Sequence, residues 1–494
     1  MHIIHIASEF APCVKVGGLA DVVLGLCREL SYNGHKIEVI IPKYECIEKK
    51  NIIGLEPSKL KISTFYDNKR IESRVWKGKL LELPITLIEP LHPDNYFQRP
   101  ECYGYKDDVL RFSCFCQVVL EYMKLEKKNP DIIHLHDWQT ALIAPMSKDL
   151  FKSSSFSSSR ITFTIHNIEH QGWCSKKDLD KVGLDGTHYL HPSRLQDNIR
   201  SWDINMMKGA LVYADHINTV SPTYAYEVKT HEGGKGLENT LKKYEDKFSG
   251  ILNGIDAESW NPENDPAIPF HYSWRNIEEK KKNTEALRDI LSLSKENKPI
   301  VACISRLVPQ KGVELIKHAI FRTLDSGGQF VLLGSSPIKK IQDDFLKIKK
   351  QFQKHPQVSL EFGFKEDLAH LIFAGADIFI VPSIFEPCGL TQLIALKYGS
   401  IPVVRKTGGL ADTIFDIEYS EKPFEKGNGY VFEHPNKQGL NFALDRAIKH
   451  WRQKPSEWKE LMLRGMRIDS SWKEPAKRYV KIYEKGKKTL VSTI

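Results

Sequence analysis

A chain of 494 residues is too long for one typical domain, and 41% apolar with 27% charged residues suits a globular enzyme with material for two cores. Lysine plus arginine (71) exceeds aspartate plus glutamate (62); that excess fits an anionic ligand such as a nucleotide diphosphate and is too diffuse to indicate nucleic acid. The nine cysteines show no CxxC pair or zinc-like spacing, no apolar run nears the roughly 20 residues that span a bilayer, and the opening Met1-His2-Ile3-Ile4-His5-Ile6 has no basic leader. These features predict a soluble cytoplasmic protein with no membrane or nucleic-acid partner.

In chain order, residues 3–7 predict a strand, Lys15-Val16-Gly17-Gly18 a turn, residues 19–30 an apolar helix and residues 36–41 a second strand. Cys114 and Cys116 lie in an apolar helical stretch and read as core. Strand-type runs return at 132–135, 161–165 and 210–220, with a serine-rich loop at 153–159. The proline-rich stretch 262–269 predicts a linker. A second series follows at 300–304, 329–333, 358–361, 378–381 and 402–404, and residues 472–483 form a last helix. Strands alternating with helices imply parallel sheets covered on both faces, hence an α/β chain of two doubly wound halves. The lysines at 280–282 and within 485–488 are expected as solvated helix ends.

Ligands of such sheets sit beyond the carboxyl ends of the strands. After the first strand, Lys15, Gly17 and Gly18 lead into a helix, a setting for phosphate that an ordinary tight turn explains equally. After the strands at 132–135 and 161–165 come His134-Leu135-His136-Asp137-Trp138 and His166-Asn167-Ile168, whose polar side chains suit sugar hydroxyls; a structural role for His166 is the alternative. Only one of His134 and His136 is expected to point into a site, which argues against a metal. In the second half, Ser305-Arg306-Leu307-Val308-Pro309-Gln310-Lys311-Gly312 sets two cations before a helix, as a diphosphate clamp would. Phe385-Glu386-Pro387-Cys388-Gly389-Leu390-Thr391 sets a carboxylate and backbone amides before another, and Thr407-Gly408-Gly409-Leu410-Ala411-Asp412 repeats the glycine turn into a helix. Cys388 reads as a small packing residue or as a reactive thiol.

Together with HNIEHQG from His166, SPTY from Ser221 and GILNGID from Gly250, these motifs resemble the bacterial glycogen synthases and plant starch synthases, in order from residue 1 to about 480. The resemblance implies a GT-B glycosyltransferase, two Rossmann-like domains facing each other across a cleft. It assigns 1–260 to an N-terminal acceptor-side domain joined by the helix at 472–494, and 261–471 to a nucleotide-sugar domain. It implies retaining, metal-independent transfer from ADP-glucose to glycogen or another α-1,4-glucan, with no cofactor. Carried over, Arg306 and Lys311 bind the diphosphate and steady departing ADP, His166 meets the sugar near C6 and the anomeric carbon, and Glu386 holds sugar hydroxyls. Lys15, Gly17, Gly18, Asp137, Asn253, Cys388, Gly389, Leu390, Thr391, Gly408 and Gly409 complete the donor site.

Two departures bear on this. Phe364 stands where relatives often carry Tyr, so an adenine contact there would stack without a hydroxyl. Gln98 stands where the family tends to have Asp, a change that bears on one glucan or cleft hydrogen bond. Rival readings are a GT-B enzyme using UDP-glucose, a non-catalytic glucan-binding relative, and a nicotinamide dehydrogenase, the last disfavoured by the missing GxGxxG.

Overall fold

Runs rich in Ile, Val and Leu on both sides of the pleat are stable only as strands covered on both faces, and both sheets are built from such runs. The structure, a computed structural model, describes residues 1–47, 49–363, 365–420 and 426–485; Phe364 and the lysines at 487 and 488 lie outside the described residues. It divides into two units: unit 1 is Met1–Gly254 with the segment from Trp472 onward, and unit 2 is Ile255–Ser471.

Unit 1 carries β1 (His2–Ile6), β2 (Lys36–Pro42), β3 (Ile53–Pro57), β4 (Ile62–Tyr66), β5 (Lys69–Leu80), β6 (Leu83–Pro90), β7 (Ile132–His136), β8 (Arg160–Ile165), the short pair β9 (Trp173–Cys174) and β10 (Ile204–Asn205), β11 (His216–Thr219) and β12 (Phe248–Gly250). The main sheet has the order β12-β11-β8-β7-β1-β2-β6-β5-β3, with β4 paired to β5. It is parallel from β12 to β6, while β5, β4 and β3 add antiparallel. This antiparallel edge has its own sequence signal. In β5 the residues Ile71, Ser73 and Val75 are buried and their neighbours are not. Asp67 with Asn68, and Leu81 with Glu82, take positive φ in two-residue turns whose twist suits a hairpin. The apolar run at 210–220, expected as a strand, splits into the end of the helix Met206–Tyr213 and β11.

Unit 2 carries β13 (Ile300–Arg306), β14 (Gln329–Ser335), β15 (Val358–Phe362), β16 (Ile378–Val381), β17 (Ile401–Arg405) and β18 (Tyr430–Phe432), parallel in the order β15-β14-β13-β16-β17-β18. Adjacent residues alternate between two cores: Ile300, Ala302, Val331, Leu333 and Phe379 in one, Val301, Cys303, Phe330, Leu332 and Ile380 in the other.

Two expectations are corrected here. The stretch 262–269 is no linker: Asp265 is buried and takes hydrogen bonds from Tyr398 Oη and the Ala267 amide, with His370 Nδ1 2.7 Å away, so the prolines wrap a polar anchor within unit 2. Lys280 is no solvated end. It is buried, and its Nζ donates to the carbonyls of Phe373 (3.1 Å) and Ala374 (2.8 Å) and to Ser400 Oγ (3.3 Å). Those carbonyls end the helix Glu366–Gly375, where the Lys280 amine meets orphan backbone acceptors. Lys281 and Lys282 are exposed as expected.

The last helix, Lys473–Glu484, packs in unit 1. Its Tyr483 Oη lies 2.7 Å from His134 Nδ1, Tyr479 Oη accepts from Asn218 Nδ2 (2.9 Å), and Arg160 donates to the Tyr483 carbonyl (3.0 Å). A Cβ on Gly25 would fall 1.9 Å from the Trp472 indole, so this docking requires a glycine. No helix among the described residues is long and apolar enough to cross a membrane.

Candidate active site

In unit 1 the candidate residues follow β1, β7 and β8. Glu9, just beyond β1, shapes the first loop: its Oε2 accepts from the amides of Val16 (2.6 Å) and Gly17 (3.0 Å), and its Oε1 accepts from Tyr103 Oη (2.9 Å). Gly17 precedes the helix Gly18–Tyr32 in extended backbone, and a Cβ there would meet nothing within 4 Å. The chain itself therefore does not demand this glycine. Lys15 Nζ lies 2.9 Å from Asp21 Oδ1, one turn into that helix.

Asp137 follows β7 at φ 57° and ties two loops together. Its Oδ1 accepts from the His166 amide (2.7 Å) and more weakly from that of Asn167 (3.4 Å). Burial outweighs these donors and pushes the carboxyl up to about 7. The expectation that Asp137 faces a sugar thus meets a carboxylate already engaged in placing His166. Gly172, at φ 66°, would drive a Cβ 2.4 Å from the Trp138 ring, and Tyr224 Oη accepts from the Ile168 amide (3.2 Å). HDW, HNIEHQG and SPTY are in this respect one interlocked support for His166.

The expectation that His134 and His136 diverge is wrong. Residues i and i+2 of a strand share a face, β7 runs through His136, and the two rings stack 4.3 Å apart. With His5 from β1 they offer ring nitrogens within 4.8 Å of one another. His134 is bonded on both sides, to Tyr483 Oη and to Thr164 Oγ1 (2.7 Å each). His136 Nδ1 lies 3.0 Å from His166 Nε2, and burial holds His166 down to about 3, as the neutral imidazole. Asn253 is buried, and its Oδ1 has no partner among the described residues. Gln98 donates to Glu89 Oε1 (3.3 Å), which also takes Lys43 Nζ (3.1 Å); an Asp there would set a carboxylate against a carboxylate.

In unit 2, Arg306 is exposed at the end of β13, and its guanidinium has no partner among the described residues. Lys311 sits in the helical turn Pro309–Lys311, and its Nζ lies 2.6 Å from Glu386 Oε2. Glu386 is 5% exposed and also accepts from Ser383 Oγ (2.8 Å). The two residues expected to act separately are therefore an ion pair. Gly312 takes φ 71°, and a Cβ would lie 2.1 Å from the Pro382 carbonyl, so this glycine lets the Lys311 turn lie against the end of β16. Gln310 seals the seam, donating to the Phe385 carbonyl (3.3 Å) and accepting from the Ile384 amide (2.8 Å).

Cys388 is buried in the next turn, which favours its packing reading. Gln392 braces that turn, donating to the carbonyls of Cys388 (3.1 Å) and Gly389 (3.0 Å) and to Thr413 Oγ1 (3.2 Å). The backbone amides of Gly389, Leu390 and Thr391 find no acceptor among the described residues. A Cβ on Gly408 would fall 1.9 Å from the Glu386 carbonyl, and one on Gly409 2.2 Å from that of Cys388. This glycine pair, expected to cradle phosphate, is required by the loop it packs on. Sequence reasoning missed Glu9, Ser383 and His5; only Glu9, a carboxylate directly after β1, had a readable signal.

Against known proteins, residues 2–243 match the family described as starch synthase catalytic domain, and residues 287–461 match glycosyl transferases group 1. The chain is 50% identical to a glycogen synthase of Protochlamydia amoebophila, over 98% of this chain and 99% of that one. It belongs to the glycogen and starch synthase family. A probable starch synthase 4 of Arabidopsis thaliana is 47% identical over 98% of this chain, which spans 47% of that longer protein. The solved catalytic domain of starch synthase IV from Arabidopsis thaliana, bound to ADP and acarbose, superposes with a TM-score of 0.96 at 47% identity, covering 98% of each chain. Sucrose-phosphate synthase from Thermosynechococcus elongatus shares the fold alone, with a TM-score of 0.61 at 16% identity and full coverage of both chains. The architecture is GT-B, and this synthase is a glycosyltransferase, as its motifs implied.

Proposed function

We propose that this protein transfers glucose from ADP-glucose to the non-reducing end of an α-1,4-glucan, with retention, in the cytoplasm. The observation that carries the reading is the unit 2 constellation: among the described residues Arg306 has no partner, Lys311 is held on Glu386, and the three amides at 389–391 find no acceptor. A relative of the same fold and 47% identity was solved with ADP, which supports a nucleoside diphosphate as the leaving group. Departure of ADP builds negative charge on the diphosphate, and cations fixed beforehand stabilise that charge more than they stabilise the bound donor. Arg306 and Lys311 take this role. Neutral His166 hydrogen-bonds the sugar near C6. Glu386, with Lys311 and Ser383 on one oxygen, orients hydroxyls rather than attacking carbon, so the acceptor enters on the face that ADP leaves. Label from ADP-glucose is expected in glycogen, with EDTA present, at a rate far above that from UDP-glucose. Preference for UDP-glucose, or no incorporation from either, would overturn the reading.

A further inference from the structure

His5, His136 and His166 form an unbroken line of rings inside unit 1. His5 Nδ1 lies 3.1 Å from His136 Nε2, and His136 Nδ1 lies 3.0 Å from His166 Nε2. Each contact needs a hydrogen on one nitrogen and a lone pair on the other. Burial keeps the rings neutral, with His5 and His166 down to about 3 and His136 well below its usual value. A neutral imidazole has a single N–H, so the two bonds must run in the same direction. If His136 donated twice it would be a buried cation; if it accepted twice it would be an anion.

The far end of the line sets the direction. His5 Nε2 is buried and has no partner among the described residues. Bonds running toward His5 would leave an orphaned N–H there; bonds running toward His166 leave only an unused lone pair, the more readily tolerated defect. At the other end His166 is mostly buried but reaches solvent, and its Nδ1 has no partner among the described residues. We propose that His5 and His136 are positioning residues that lock His166 as its Nδ1–H tautomer, making it a hydrogen-bond donor to a hydroxyl oxygen of the donor sugar. The functional half of this inference rests on the sugar-binding reading of His166. The same cluster is a poor metal site, because every ring nitrogen of His5, His134 and His136 except His5 Nε2 is already hydrogen-bonded.

The test is the two-bond proton–nitrogen spectrum of the full chain labelled with 15N-histidine, with His166 assigned by its loss in His166→Gln. The expected wild-type result is the Nδ1–H tautomer. His5→Phe removes the first donor and frees the direction, so His166 should become a tautomer mixture and kcat should fall roughly 10- to 100-fold, with a smaller change in KM. His5→Asn, whose amide can donate from nearly the Nδ1 position, should restore the tautomer and much of kcat. An Nε2–H wild-type His166, stoichiometric zinc held by these rings, or an unchanged tautomer in His5→Phe would overturn the lock. The wild-type spectrum decides the direction even if His5→Phe does not fold. A shifted tautomer with unchanged kcat would overturn the catalytic role. Full activity in His166→Gln would sink the sugar-binding reading while leaving the tautomer lock standing.

Discussion

At the residue scale, the Lys311–Glu386 pair changes what substitution should do. Lys311→Ala removes a cation from the departing diphosphate and leaves Glu386 buried with Ser383 as its one side-chain donor among the described residues. We expect kcat to fall roughly 100-fold or more, the scale of one preorganised electrostatic group, with KM changing less. A raised KM with unchanged kcat would show that Lys311 serves uniform binding only. Stability should also drop, by about 1–3 kcal/mol, because the buried carboxylate loses its charged donor. In a Glu386→Gln background the Lys311→Ala loss should shrink, since an amide needs no counter-charge; urea unfolding of the four proteins measures this. Glu386→Gln alone keeps an acceptor for Ser383 and should retain activity reduced by roughly 10²–10⁴-fold. No residual transfer, with a glucosyl adduct trapped on the wild-type carboxylate, would make Glu386 a nucleophile instead.

At the element scale, two contacts decide where helices begin and end around the site. Gly312 lets the helix Val313–Asp325 start hard against the Pro382 carbonyl. Gly312→Ala should cost about 1–3 kcal/mol from the φ of 71° and the clash, and should lower kcat by moving Lys311. Wild-type kcat in a well-folded Gly312→Ala protein would show that the turn tolerates displacement. Lys280 closes the helix Glu366–Gly375, and burial pushes its ammonium down to about 7. The unfolded chain then binds a proton that the folded chain lacks between about pH 7 and the usual lysine value of 10.5. Stability from this group therefore rises with pH across that window and is lost as pH falls toward 7. Lys280→Met should flatten this slope in denaturant midpoints from pH 7 to 10; an unchanged slope would mean that the three acceptors keep the ammonium charged.

At the scale of the whole molecule, the sheet centre of unit 1 holds a block of neutral histidines. Burial lowers His5 to about 3 and His134 and His136 well below the usual 6.5. On unfolding each regains its ordinary affinity for protons. Their contribution is fully present above about pH 6.5 and is lost progressively as pH falls below it, at up to about 1.4 kcal/mol per pH unit for each ring. Acid unfolding of unit 1 should therefore begin below pH 6.5 with uptake of several protons, and His5→Phe should remove about one of them. A pH-independent midpoint between 6.5 and 4 would contradict this.

The parallel strands, the glycine turns and the ordered set of motifs were legible because each depends on local composition: double-sided apolar runs cannot be solvated, and a motif such as EPCGLTQ carries its identity in consecutive residues. Family and fold class followed from that alone. What the sequence could not contain was the meeting of distant segments. Lys311 and Glu386 are 75 positions apart and pair only because β13 and β16 are neighbours in the sheet. Lys280 looks like a solvated charge until the helix Glu366–Gly375 ends beside it. The glycines at 408 and 409 look like a phosphate cradle until the Glu386 loop lies on them. Periodicity and propensity act over a few residues, whereas which donor finds which acceptor is decided when sheet order brings their loops together.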